Sequence, residues 1–124
     1  MKVAILLLAD TLTHSDMGRA TIALETAKEL MEAGEYVQLL FEGAGTKWPT
    51  ELRKKENAIN WLYKSVESSV KSVCSLCACD YSVKDQLKSS GIHLAGGDSV
   101  TRSTTRWSPI NSVFSVEPEG MTKF

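Results

Sequence analysis

Three cysteines lie within six residues of one another, at Cys74, Cys77 and Cys79. An odd number of cysteines packed this closely is not the framework of a disulfide-stabilised domain. A zinc site would need a second pair of ligands, and the other candidates, His14 and His93, are isolated and far away in sequence. We therefore expect no metal, and the cluster indicates thiol chemistry in a reducing compartment.

Cys74 has the position best suited to a nucleophile. It ends a short alternating segment, Val70 to Cys74, and precedes a predicted helix from Ala78 to Ser90. A cysteine between a strand and a helix lies near unpaired backbone N–H groups and the positive helix end, which favour the thiolate. We expect Cys77 to be a resolving thiol if it lies within reach, and Cys79 to pack as a small apolar residue.

The composition predicts one globular domain. The 124 residues carry 14 Lys and Arg against 15 Asp and Glu, 43% are hydrophobic, and such a chain can bury a core without disulfides. A net charge of -1 without a polybasic run argues against nucleic-acid binding. The apolar run from Val3 to Ala9 is too short to span a membrane and makes a poor signal peptide. We expect a soluble cytoplasmic protein.

The apolar pattern predicts alternating strands and helices. The capping-box spacing of Thr13 and Asp16 begins an amphipathic helix that Gly34 ends, and a second helical pattern runs through residues 59 to 66. A continuous apolar run such as Val3 to Ala9 is typical of a strand that is buried in a parallel sheet. The predicted strands are Val3 to Ala9, Tyr36 to Phe41, Val70 to Cys74 and Ile92 to Ala95.

This order of elements favours an α/β fold with three layers, a doubly wound and mainly parallel sheet of four or five strands, similar to flavodoxin. In its 2-1-3-4-5 strand order the first and third strands are neighbours. Thr11, Thr13 and His14 after the first strand would then share a pocket with Cys74. Residues 1–124 form one domain, with a core at 1–95 and a divergent tail at 96–124 that is expected to be irregular, with one short strand near 112–116 or 121–124.

The segment VAILLLADTLTHSDMGRATIALETAKELMEAGEYVQLLFEGAGTKW, followed by SVCSLCACDYSVKDQLKSSGI, resembles the DsrE/DsrF-like (DsrEFH-like) family of small sulfur-relay proteins. The resemblance covers about residues 1–95, and Gly96 to Pro118 does not match. It implies that Cys74 accepts sulfur as a persulfide and passes it to a partner thiol, without a cofactor. It also implies donor and acceptor proteins as partners, and a homo-oligomer such as a trimer or hexamer.

Several alternatives stay open at this point. The carrier is either a sulfurtransferase enzyme or a non-catalytic relay, and His14 is either exposed or protonates the leaving thiol. Thr11 and Thr13 could instead bind the phosphate of a nucleotide or FMN in a flavodoxin-like domain. In a third hypothesis the protein is a structural subunit of an oligomer, with the aromatic residues Trp48, Trp61 and Tyr63 as interface anchors or core residues.

Overall fold

A computed structural model describes residues 1–95, 112–117 and 120–123 of the chain. Within these ranges six strands form one sheet in the order β4-β3-β2-β1-β5-β6, and of these strands only β6 runs antiparallel to its neighbour. The predicted α/β class with a mainly parallel sheet is therefore present, although the sheet has six strands. The strands are β1 (Lys2–Leu7), β2 (Tyr36–Phe41), β3 (Val70–Cys74), β4 (Leu94–Ala95), β5 (Ser112–Glu117) and β6 (Gly120–Lys123).

In the described part of the chain, five helices lie between β1 and β4. Two 3₁₀ segments, Gly43–Lys47 and Glu67–Ser69, adjoin them. No helix within the described ranges has both the length and the apolar character that crossing a membrane requires. The helices are α1 (His14–Glu32), α2 (Trp48–Arg53), α3 (Asn60–Val66), α4 (Ser75–Asp80) and α5 (Lys84–Ser89).

The β1 strand is the centre of the hydrophobic core. Residues 3 to 7 are all buried, because β1 pairs with β2 on one side and with β5 on the other. Its register with β2 runs from Lys2 opposite Tyr36 to Leu7 opposite Phe41. Two paired edges and two covered faces leave no position for a charged side chain, which is why the run is continuously apolar.

The helix after β1 begins and ends where the sequence predicts. The Thr13 side chain accepts a hydrogen bond from the backbone of Asp16, and the Asp16 carboxylate accepts one from the Thr13 backbone, which completes the capping box. Gly34, just past the end, has φ of +82°, a conformation that glycine adopts without strain. Four inward residues of α1, Ala20, Ala23, Leu24 and Ala27, are buried against the sheet.

The strand order differs from the flavodoxin-like expectation. The β1 strand lies between β2 and β5, and β3 pairs with β2 instead of β1. Successive connections carry the chain from β1 through β2 and β3 to β4 in one direction, and the reversal occurs only before β5. The direction of a crossover is not encoded in the local apolar pattern, so the predicted contact between β1 and β3 was wrong.

The same topology determines where the helices lie. Three right-handed crossovers in one direction place their helices on the same face of a sheet. All five helices accordingly contribute to one core cluster with Val3, Ile5 and Leu7. On the opposite face Ala4, Leu6 and Leu40 form a separate buried cluster. The connection from β4 to β5 lies outside the described residues. The third layer of the predicted three-layer fold falls in that connection, so it too lies outside them.

Two local predictions need correction. The helix expected from Ala78 to Ser90 is two helices, because Ser82 has φ of +59° and interrupts the helical hydrogen bonding between α4 and α5. The tail contains both of the strands that were considered as alternatives, β5 and β6, instead of one. Residues 96–111, which were expected to be irregular, lie outside the described part of the chain.

Gly45, in the 3₁₀ segment, lies directly against the end of β1. A Cβ atom built on Gly45 would lie 1.9 Å from the Leu7 carbonyl oxygen, a distance that no structure tolerates. Since the obstructing atoms belong to the backbone, either the 3₁₀ segment or β1 would have to move.

We expect Gly45→Ala to lower the free energy of unfolding by at least about 2 kcal/mol, from overpacking against the backbone. Gly18→Ala is the matched control, because Gly18 is inside α1 with no atom within 4 Å of the added Cβ. That change should be neutral or stabilise the protein by up to about 1 kcal/mol. Urea denaturation of both variants measures the difference, and equal effects would contradict the close approach.

Candidate functional site

Cys74 occupies the junction that the sequence predicts. It is the last residue of β3 and the N-cap residue of α4, and its side chain makes no capping hydrogen bond. Only 5% of the residue is exposed to solvent. The thiol therefore lies at the carboxyl edge of the parallel strands, which is where open α/β sheets bind ligands.

The other two cysteines differ in their surroundings. Cys77 is 7% exposed and lies in the first turn of α4, three residues after Cys74. Cys79 is exposed, so the expectation that it packs as a small apolar residue was wrong. No disulfide joins the three cysteines.

Glu42 is a candidate functional residue that the sequence analysis did not identify. It follows the last residue of β2 and is only 1% exposed, which is unusual for a carboxylate. Phe41 pairs with Val73, so Glu42 and Cys74 are the next residues of the two neighbouring strands. Side chains alternate along strands, and both therefore lie on the sheet face opposite Phe41. A glutamate directly after an apolar strand was the available signal.

The connector after β1 does not join Cys74 in one pocket. Strand β2 separates β1 from β3, so the two strand ends lie about 10 Å apart, given a spacing of about 4.8 Å between neighbours. His14 is exposed at the first position of α1. The expected pocket formed by Thr11, Thr13, His14 and Cys74 therefore needs correction, because it depended on β1 and β3 being neighbours.

The hydrogen-bonding groups of this connector are used locally. The Thr11 backbone N–H donates to the Asp10 carboxylate at 2.6 Å, and the Thr13 N–H donates to Asp16 at 3.1 Å. The Thr13 hydroxyl oxygen accepts from the Asp16 N–H at 3.0 Å. These backbone N–H groups already donate to carboxylates. A phosphate would need N–H groups that are free to donate to its oxygens.

The 3₁₀ segment after β2 fills the space between the ends of β1 and β3. Lys47 ends this segment, and its ammonium donates to Asp10 at 2.9 Å while lying 5.2 Å from the centre of the Tyr81 ring. Trp48 follows, and its indole N–H donates to the Ala9 carbonyl at 2.9 Å. Lys47 therefore links the segment after β1 to the end of α4.

Lys47 also determines the ionisation of Asp10. The hydrogen bond from the Lys47 ammonium holds the pKa of the Asp10 carboxyl below its ordinary value, against a smaller opposing effect of desolvation. The Thr11 backbone N–H adds to the lowering. Asp10 is consequently a carboxylate at neutral pH, and it forms an ion pair with Lys47 at the carboxyl edge of the sheet.

The aromatic residues are divided between core and surface. Trp48 and Tyr63 are 2% and 0% exposed, so they are core residues in this chain. Trp61 is 63% exposed and is the one of the three that remains available as an interface anchor. In the part of the chain that the structure describes, no three His, Cys, Asp or Glu side chains are grouped as metal ligands.

Comparison with known proteins finds a distant relative of the chain. The chain is 28% identical over 91 residues to "Uncharacterized protein MJ0733" of Methanocaldococcus jannaschii, a match that covers 71% of this chain and 73% of the relative. That name assigns no activity. No family model matches the chain, and no solved structure matches it. The function must therefore be argued from the site itself.

The pair of Asp10 and Lys47 predicts a specific pH dependence. A carboxylate whose pKa is lowered on folding adds stability above its ordinary pKa of about 3.9, and this stability is lost as the pH falls through the lowered value. We expect Asp10→Asn to cost a few tenths to about 1 kcal/mol at pH 7 and nothing near pH 2.

Thermal unfolding of the Asp10→Asn variant and of the unaltered chain across this pH range measures the effect. Asp80→Asn is the control, because Asp80 is exposed at the end of α4 and has no ion pair among the described residues. A cost for Asp10→Asn that persists unchanged at pH 2 would contradict the assignment.

Proposed function

We propose that this protein is a sulfur carrier that holds sulfur as a persulfide on Cys74. The observation that carries the proposal is the position of Cys74 at the end of β3, with Cys77 in the next helical turn and Glu42 at the end of the neighbouring strand. The resemblance of residues 1–95 to DsrE/DsrF-like proteins supports the same chemistry. Transfer of this kind needs no bound cofactor.

The first step is a thiolate attack on a donor persulfide. The Cys74 thiolate attacks the outer sulfur of a donor R–S–SH, a new S–S bond forms at Cys74, and the donor S–S bond breaks. The electron pair leaves with the inner donor sulfur as the thiolate R–S⁻, and Cys74 becomes Cys74–S–SH. Passing the outer sulfur to the thiolate of an acceptor protein repeats the step in reverse and regenerates Cys74.

Cys77 gives the persulfide a second outcome. Its thiolate can attack the inner sulfur of the Cys74 persulfide, which forms a disulfide between Cys74 and Cys77 and expels HS⁻. The two residues are the N-cap and the third residue of the same helix, so little chain movement separates them. Regeneration of the carrier then needs a thiol reductant, which is consistent with the reducing cytoplasm that we propose as its location.

Glu42 supplies a group that can accept the thiol proton. Cys74 is buried, and a buried thiol needs a neighbouring base because solvent has little access to it. Glu42 is the ionisable side chain at the adjacent strand end and lies on the same face. We assign it as general base for Cys74, in place of the more distant and exposed His14.

The proposal also includes donor and acceptor proteins as partners and assembly as a homo-oligomer, a trimer or hexamer. The support within the chain is the 63% exposure of Trp61, which presents a large apolar surface to solvent. The alternative of a phosphate or FMN site after β1 gains no support, since the N–H groups of Thr11 and Thr13 are bonded to carboxylates.

Mass spectrometry of the reduced protein tests the site. After incubation with glutathione persulfide, we expect a gain of one sulfur atom on the peptide that contains Cys74, reversible by reductant. Cys74→Ser should abolish transfer to an acceptor thiol, whereas Cys79→Ser should leave it intact, since Cys79 is exposed near the end of α4 and does not lie at the strand end. Sulfur that remains transferable in Cys74→Ser would overturn the proposal.

The role of Glu42 predicts a rate effect that depends on pH. We expect Glu42→Gln to slow sulfur acceptance at pH 7 by about a hundredfold, the contribution of a typical general base. The difference should shrink above pH 8.5, where an ordinary thiol ionises without a base. Rates measured from pH 6 to 10 give the profile, with Glu25→Gln, a change at an exposed residue of α1, as the control. A slowing that is constant across this range would indicate only a structural role.

A further inference from the structure

The two buried cysteines occupy a special pair of positions at the start of α4. Cys74 is the N-cap residue, and Cys77 is the third residue of the helix. Both thiols are free, and the two residues are only 5% and 7% exposed. The chain has one further cysteine, Cys79, which follows Cys77 by two residues. Residues two apart on a helix do not face each other, so Cys74 and Cys77 are the two that can pair.

The first turn of α1 shows what side chains in these two positions can reach. Thr13 is the N-cap residue of α1, and Asp16 is its third residue. The Thr13 Oγ1 atom accepts from the Asp16 N–H at 3.0 Å, and the Asp16 Oδ2 atom accepts from the Thr13 N–H at 3.1 Å. Each side chain crosses to the backbone of the other residue. Side chains in the N-cap and third positions therefore meet over the first turn of a helix.

The backbone of Cys74 has the extended conformation that such a contact needs. Its φ and ψ are -63° and 119°, and Thr13 is likewise extended, with ψ of 163°. Inside a regular helix, Cβ atoms three residues apart are separated by about 5–6 Å, farther than the roughly 3.5–4.5 Å across a disulfide. An extended N-cap residue is free of this helical spacing. The Cys74 side chain makes no capping hydrogen bond, so its rotation toward Cys77 breaks none.

We propose that Cys74 and Cys77 form a redox-active dithiol, which reduces low-molecular-weight disulfides and itself closes into an intramolecular disulfide. The low exposure of both cysteines favours a small disulfide as substrate over one within a folded protein. No persulfide takes part in this reaction. The activity therefore does not rest on the proposed sulfur transfer, although it uses the same two thiols.

The reaction consists of two thiol–disulfide exchange steps. The Cys74 thiolate attacks one sulfur of the substrate R–S–S–R, which forms a mixed disulfide at Cys74 and releases R–S⁻. The Cys77 thiolate then attacks the Cys74 sulfur, which forms the bridging disulfide and releases a second R–S⁻. The two cysteines lose two electrons and the substrate gains them. The two thiol protons end on the two released R–SH molecules.

Equilibration of the full chain with glutathione and glutathione disulfide tests the proposal, with Cys79→Ser present to remove the exposed thiol. Mass spectrometry after an acid quench counts the dithiol, bridging-disulfide and mixed-disulfide forms. A bridging disulfide releases two glutathione molecules, so a tenfold dilution of the buffer at a constant glutathione ratio should raise the disulfide-to-dithiol ratio about tenfold. The same dilution leaves a mixed disulfide unchanged. At equilibrium the low exposure of the thiols slows the exchange without altering its end point.

Variants at Cys77 connect the response to the cysteine pair. Cys77→Ala and Cys77→Ser, each verified as folded by circular dichroism, should stop at the mixed disulfide on Cys74 and lose the dilution effect. A chain with Cys74 and Cys77 intact that forms no bridging disulfide, even in glutathione disulfide alone, would overturn the proposal.

The two proposed activities can fail separately. Persulfide formation on Cys74 without a bridging disulfide in glutathione buffers would refute only the redox-active dithiol. A bridging disulfide in a chain that gains no sulfur from glutathione persulfide would refute the sulfur carrier and support the dithiol.

Discussion

The close approach of the Gly45 backbone to the Leu7 carbonyl is the constraint on which the carboxyl edge of the sheet depends. It packs the 3₁₀ segment directly against the end of β1. From that position Lys47 contacts Asp10, and Trp48 donates to the Ala9 carbonyl. A side chain at position 45 would separate the 3₁₀ segment from β1, and these two contacts would be lost with it. The arrangement is steric in origin, and the polar contacts follow from it.

The individual elements of the fold could be predicted because their signals are local. The apolar run of β1, the capping box of Thr13 and Asp16, and the glycine after α1 each act over a few residues. The break at Ser82 could not be predicted, because serine has no general preference for a positive φ and here adopts one between two packed helices. The order of the strands depends on the direction of each crossover, which no segment encodes by itself.

The same distinction explains what the sequence revealed about the candidate site. Cys74 was placed correctly at a strand end, since that position follows from the alternation of strand and helix. The surroundings of Cys74 were predicted wrongly, because they depend on which strand is the neighbour of β3. With β2 beside β3, the group next to Cys74 comes from Glu42 instead of the connector that contains His14. A single difference in strand order thus replaces one predicted set of side chains with another.

The shortness of β4 has a consequence for association between chains. Among the residues that the structure describes, β4 covers only two residues of β3, and no other strand pairs with the start of β3 on that side. Such an open edge can template intermolecular β pairing and aggregation. The register between β2 and β3 shifts at this point, where Val70 pairs with Leu39 and Ser72 with Leu40, so Lys71 is an extra residue on the edge strand. A bulge that carries an exposed lysine protects an edge against such pairing.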